Sequence, residues 1–245
     1  MKKTILITGT TNGIGKELEL KLTNDYELVT INKIGSQKNH SSEFTKNYNL
    51  DITDKEAVQN LLSNLKKENI EPDIFLLNAG INIYDNENHF VIQKFKKCFD
   101  INFYGAMNFV SAINLLKYKN KKIIFFSSTS NIVANPAALG YFSSKLLLKK
   151  LTGLLNINRE NNLYKSAILG PIKTLISRDL KKPEGLAGTI YKILAVEPQR
   201  MIPSFVRFIE NKKIFFYYTK TSVLFYFFIS VILKLFPRLY KGGKK

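Results

Sequence analysis

The sequence predicts an α/β fold, a doubly wound parallel sheet in one domain spanning residues 1–220, followed by an apolar and basic segment over 221–245. Three observations carry that prediction. Short β-rich runs alternate with helically spaced apolar residues for about 170 residues. The best of those runs, such as Ile-Leu-Ile at 5–7 and Ile-Ile-Phe-Phe at 123–126, are continuously apolar, as strands buried on both faces must be. Each is followed by a glycine-rich or small polar turn of the kind that closes a strand and opens a helix.

The first strand is expected over 4–8 and runs into Thr8-Gly9-Thr10-Thr11-Asn12-Gly13-Ile14-Gly15, after which 16–22 has helical spacing. Glycines let a backbone approach a pyrophosphate, and the free amides of the following helix attract its charge. A lone turn of this kind also fits an ordinary βα connection. A second strand over 27–31 ends at Asn32-Lys33, and a third over 48–50 leads into Asp51-Ile52-Thr53-Asp54. Asp54 is placed to cap a helix over 55–68. The fourth strand, 73–77, ends in Asn78-Ala79-Gly80, and one helix is expected over 95–116 with Asn102 inside it. The fifth strand, 121–128, closes on Ser128; a helix follows to about 155, and a sixth strand over 166–169 precedes Gly170-Pro171. A last strand is expected over 213–218.

Tyr141 and Lys145 carry the chemistry, because residues four apart share one helix face and put an ammonium beside a phenol. A phenol alone has a pKa of about 10, and a neighbouring cation pulls it toward the range of an acid/base catalyst. The pair alone is weak evidence: with 12 Tyr and 32 Lys, about 1.6 such pairs arise by chance, and three are present. Tyr118/Lys122 and Tyr240/Lys244 have Gly105 and Phe227 thirteen residues upstream, whereas Tyr141 has Ser128, at the carboxyl end of a strand, where open α/β sheets place their chemistry.

Composition narrows the classes further. With 45% hydrophobic and 23% charged residues the chain has the makings of a folded core. One cysteine, Cys98, excludes an intrachain disulfide and reads as buried filler, and two isolated histidines, His40 and His89, suggest no metal site. The apolar start at 5–7 is too short for a signal peptide, so a cytoplasmic location is expected. A net charge of +18 points to an anionic partner. No groove-reading motif accompanies it, so nucleic acid is not expected.

Taken together, the turn from Thr8 to Gly15, Asp51, Asn78-Ala79-Gly80, the set Asn102/Ser128/Tyr141/Lys145 and the stretch from Gly170 to Thr174 resemble the short-chain dehydrogenase/reductase family. The resemblance is to its branch with a Thr-Gly-x-x-x-Gly-Ile-Gly turn and a Rossmann-like domain, over about residues 4–174. It implies hydride transfer between a nicotinamide cofactor and a carbonyl or alcohol substrate. Tyr141 is then the proton donor and acceptor, Lys145 its cation and a ribose ligand, Ser128 the group orienting the substrate oxygen, and Asn102 the holder of a relay water. The same resemblance assigns the pyrophosphate to the turn of Gly9, Thr11, Asn12, Gly13, Ile14 and Gly15. It gives the adenine to Asp51 and Ile52, the adenosine ribose to Asn78, Ala79 and Gly80, and the nicotinamide end to Pro171, Ile172 and Thr174, and it implies a homo-oligomer. Two departures stand out: Leu77 replaces the family's usual first Asn before Asn78, and Gly170-Pro171 replaces its Pro-Gly.

An acid closing the second strand would bond a free ribose 2′-hydroxyl, and a base would accommodate a 2′-phosphate. Asn32-Lys33 therefore favours NADP(H), with NAD(H) possible. At the other end, 223–233 has ten apolar residues broken only by Ser230, with eight Lys or Arg and no acid from Asn211 onward. A helix over 221–236 would be about 24 Å long, short of the ~30 Å hydrocarbon core. It suits an interfacial anchor on an anionic membrane surface, with an oligomer-forming or spanning helix as alternatives. The expected substrate is then a hydrophobic or lipid-like ketone. The competing readings are a soluble sugar or acyl-thioester reductase and a dinucleotide-binding regulator without catalysis.

Overall fold

In the computed structural model, residues 2–36, 45–84, 90–129, 138–157, 161–174, 194–218 and 231 are described. The apolar runs become seven strands of one parallel sheet: β1 (Thr4–Thr8), β2 (Glu27–Asn32), β3 (Thr45–Asn49), β4 (Ile74–Leu77), β5 (Lys122–Ser128), β6 (Leu163–Leu169) and β7 (Phe215–Tyr218). Their order is β3-β2-β1-β4-β5-β6-β7, every neighbouring pair parallel. The doubly wound sheet expected from sequence is the observed fold. Alternate residues of the central strands feed two cores. Ile5, Ile7 and Phe126 pack with α1 (Gly13–Leu22) and α6 (Pro198–Glu210) on one face. Leu6, Phe75 and Phe125 pack with α2 (Lys55–Lys67), α4 (Gly105–Leu115) and α5 (Leu139–Ile157) on the other.

Where boundaries differ from expectation, the cause is local. Strand β3 starts at Thr45 rather than 48, because at the sheet edge its residues stay largely exposed and carry no apolar signal. Strand β6 starts at Leu163 rather than 166: Lys165 interrupts the apolar pattern yet is wholly buried. The helix expected over 95–116 is two helices, α3 (Ile92–Phe99) and α4, joined by a π-helical turn, Asp100–Tyr104. Asp54 caps α2 by accepting from Ala57 N at 3.0 Å, a contact worth about 1 kcal/mol.

Helix α6 lies between the sixth and last strands, where no element was expected from sequence. Pro198 opens it at a position where proline costs nothing, and Met201, Ile202, Phe205, Phe208 and Ile209 form its buried stripe. Its carboxyl end is held by lysines from the sheet. Lys122 Nζ donates to the Ile209 and Glu210 carbonyls, both at 2.8 Å, and Lys165 Nζ donates to Phe208 O and, at 2.9 Å, to Asn211 O. Burial pushes the Lys165 ammonium down to about 7. The segment 221–245, apart from residue 231, lies outside the described residues, and among the described residues no helix is long and apolar enough to cross a membrane.

Candidate active site

The sheet order reverses between β1 and β4, and the carboxyl ends of those strands frame a crevice. The glycine turn forms one wall. Gly9 (φ +75°) and Gly13 (φ +58°) adopt left-handed conformations, and α1 starts at Gly13 with no acid in its first turn and no side-chain cap from Asn12. Its amide end therefore meets no competing carboxylate of its own. The turn is braced from β4: Asn78 Nδ2 donates to Thr8 O (3.1 Å) and Gly9 O (2.9 Å), and Ala79 N donates to Thr8 Oγ1 (3.0 Å). Side chains have no room. A Cβ on Gly9 would lie 3.0 Å from Ala79 Cα, and one on Gly15 would run into the Gly9 carbonyl and sit 2.7 Å from Asn78 Nδ2.

Asn32, which the sequence reading treated only as a missing acid, is buried and turned into this wall. Its Oδ1 accepts from Thr10 N at 2.8 Å. Lys33, the next residue, is exposed. A carboxamide closing a β-rich strand was the signal for such a brace. Opposite, Asp51 Oδ1 accepts from Thr53 N (2.9 Å) and Thr53 Oγ1 (2.8 Å), and those bonds, with Lys33 nearby, hold its carboxyl below the usual range. Ile52 packs on Gly105, where a Cβ would lie 2.7 Å from Ile52 Cδ1. With Thr8, Leu77, Ala79 and Phe109, Ile52 and Gly105 line a small pocket.

The second wall comes from the π-helical turn and α5. Asn102 is buried: its Oδ1 accepts from Ile81 N (2.7 Å), and its Nδ2 donates to Ile81 O (2.9 Å) and Ser144 Oγ (3.1 Å). Lys145 is buried too, its Nζ donating to Phe126 O at 2.8 Å and lying 5.8 Å from the Tyr141 ring centroid. Burial pushes this ammonium down to about 8, with Cys98 acting the other way. Ser127 Oγ donates to Lys145 O at 2.7 Å, fastening α5 to β5, and half-buried Ser128 ends that strand. Gly80 is where the walls meet. A Cβ there would lie 3.0 Å from Asn102 Oδ1 and 3.2 Å from Lys145 Nζ.

The third side is the stretch after β6. Ile172 bridges to Val196, with Lys173 N donating to Val196 O at 2.9 Å and Val196 N donating to Pro171 O at 3.1 Å. This carries Thr174 across to the glycine turn, where a Cβ on Gly13 would lie 3.3 Å from Thr174 Cγ2. Residues far apart in sequence thus converge: the glycine turn with Asn78–Gly80 and Thr174, and Gly80 with Asn102 and Lys145. Side chains at Gly9, Gly13, Gly15 and Gly80 would fill this cradle. Its open backbone, amide-rich helix start and buried cation fit a dinucleotide with two phosphates and ribose hydroxyls.

Comparison with known proteins points the same way. Residues 3–184 match the short chain dehydrogenase family. The uncharacterized oxidoreductase C162.03 of Schizosaccharomyces pombe is 24% identical over 153 residues, covering 61% of this chain and 52% of that protein. Benzil reductase ((S)-benzoin forming) IRC24 of Saccharomyces cerevisiae is 22% identical over 212 residues, covering 79% of this chain and 81% of that protein. Among solved structures, ElxO with NADP bound is similar at a TM-score of 0.72 and 23% identity, over 89% of this chain and 97% of that one.

Proposed function

Because the chain belongs to the short-chain dehydrogenase family over residues 3–184, we propose that it is an NAD(P)(H)-dependent oxidoreductase acting on a carbonyl or alcohol, with Tyr141 as the proton-transfer group. The observation that carries the reading is the meeting of the Asn102 carboxamide and the Lys145 ammonium at side-chain-free Gly80. A bound nicotinamide supplies or accepts the hydride. The remaining work falls to the chain. Tyr141 Oη gives a proton to the substrate oxygen in reduction and takes it back in oxidation. Lys145, one helical turn on, favours the phenolate left behind and serves the cofactor's ribose hydroxyls; Ser128 Oγ bonds the substrate oxygen, and Asn102 holds the water that returns protons to Lys145. The turn from Gly9 to Gly15 takes the pyrophosphate, Asp51 and Ile52 the adenine, Asn78 to Gly80 the adenosine ribose, and Pro171, Ile172 and Thr174 the nicotinamide end. The test is cofactor consumption by the full-length protein across a panel of lipid and sugar carbonyls, set against Tyr141→Phe.

The cofactor is NADP(H) in this reading. Lys33 is exposed beside Asp51, while Asn32 spends its carboxamide oxygen on Thr10 N, leaving no acid at the end of β2 for a ribose 2′-hydroxyl. Titrating intrinsic fluorescence with each cofactor should give NADPH binding about tenfold or more tighter than NADH, with the difference shrinking in Lys33→Ala; one charge-assisted hydrogen bond is worth about 1.5–3 kcal/mol. Tighter NADH binding overturns the preference.

The substrate is a hydrophobic ketone collected at an anionic bilayer surface. The apolar and basic sequence of 221–245 supports the bilayer surface, and the similarity to a reductase of benzil, a hydrophobic diketone, supports the apolar substrate. Fractionation of cells expressing the full chain and a chain ending at 220 should place the first on membranes and release the second. Full-length protein wholly in the supernatant rejects the anchor.

A further inference from the structure

Helix α5 meets α3 and the π-helical turn along a line of small residues. At Gly140 a Cβ would lie 2.8 Å from Phe95 Cα and 3.0 Å from Cys98 Cβ, so α5 comes as near as backbones allow. One helical turn on, the fully buried Ser144 faces Asn102. Ser144 Oγ accepts from Asn102 Nδ2 at 3.1 Å and donates to Tyr141 O at 2.8 Å.

The direction of every bond in this chain is forced. The Tyr141 carbonyl can only accept, so the Ser144 hydrogen points at it and a Ser144 lone pair faces Asn102. Ile81 N–H can only donate and Ile81 O only accept, so Asn102 must turn Oδ1 to the first and its NH₂ to the second. Both carboxamide hydrogens are thereby used. Tyr141 O is also the acceptor that the helix assigns to the Lys145 amide. Ser144 therefore ties Asn102 to the one turn of α5 that spans Tyr141 and Lys145.

We propose that Ser144 is a positioning residue that sets the register of the Tyr141–Lys145 turn against Asn102. The proposal rests on the reading of Tyr141 and Lys145 as the proton-transfer pair. Alanine at 144 fills nearly the same volume and favours the helix, so a merely structural role would survive it. What alanine removes is the acceptor, leaving a buried Asn102 N–H unpaired and the turn free to shift. The ammonium beside the phenol is Lys145, and Cys98 is the titratable group of α3 that acts on Lys145.

The test uses the full-length chain with ¹⁵N-asparagine and ¹³Cζ-tyrosine labels, the resonances assigned through Asn102→Ala and Tyr141→Phe. In the unaltered protein both Asn102 carboxamide hydrogens should exchange at least tenfold more slowly than in the denatured chain; fast exchange of either overturns the proposal even if a variant fails to fold. In Ser144→Ala the titration midpoint of Tyr141 should rise by half a unit or more, as the phenol loses its fixed cation. The same substitution made in Asn102→Ala should add nothing. An unmoved midpoint, or an equal rise in both backgrounds, overturns the proposal. Full turnover by Tyr141→Phe would instead remove the proton-transfer reading and leave the Asn102 exchange result standing.

Discussion

Tyr141→Phe should lower turnover by about 10² to 10⁴, the usual weight of a positioned acid/base, while leaving dinucleotide affinity nearly unchanged. The ring stays and only the hydroxyl goes. Tyr141 is half-buried near the start of α5, beside a lysine that is itself nearly closed off from water, so phenylalanine is accommodated without opening a cavity. The loss should fall on kcat rather than on the KM for cofactor, because the hydroxyl acts in the transition state. Steady-state rates on whichever panel carbonyl the unaltered protein reduces fastest provide the measurement. A variant within about twofold of the parent would take the proton transfer away from Tyr141.

Gly15→Ala should have the opposite signature, with cofactor affinity collapsing. The added methyl would run into the Gly9 carbonyl oxygen and press on Asn78 Nδ2, the group that braces the turn through Thr8 O and Gly9 O. Both partners are fixed, one a backbone oxygen and the other a side chain already committed to two carbonyls, so the turn must move. Overpacking of this kind costs about 1–3 kcal/mol, a fall in Tm of about 2–4 °C for each kcal/mol in a chain of this size. Displacing one charge-assisted amide contact to a phosphate weakens binding about 10- to 100-fold. Melting curves with and without NADPH separate the two effects: the apo Tm drops modestly, and the rise caused by cofactor nearly disappears. An undiminished rise would mean that the turn does not hold the phosphates.

The fold was legible where local chemistry and tertiary context agree. The central strands β1, β4 and β5 are apolar on both faces and are bounded by turn residues, so their sequences could be little else. The glycine turn was legible because close backbone approach admits few residue types. Legibility failed where tertiary partners override pattern. Lys165 looks like the outside of a strand, yet carbonyls at the end of α6 accept its hydrogens and let it sit inside. The break at Asn102 was hidden as well: the apolar run 95–116 reads as one helix, whereas the bonds of Asn102 to Ile81 and Ser144 are made at a π-helical turn. The stripe of Met201, Ile202, Phe205, Phe208 and Ile209 has helical spacing, but Pro203 interrupts it, and no helix was expected there. Asn32 and Ser144 were missed for another reason: each acts by bracing a neighbour, and that relation exists only once the chain has folded.

Calorimetric titration of the full-length chain with NADPH and with NADH tests most directly whether this crevice is a dinucleotide site facing the Tyr141–Lys145 pair. One site per chain is expected, retained in Tyr141→Phe and largely lost in Gly15→Ala. No uptake of either nucleotide by the unaltered protein, or equal uptake by Gly15→Ala, would contradict it.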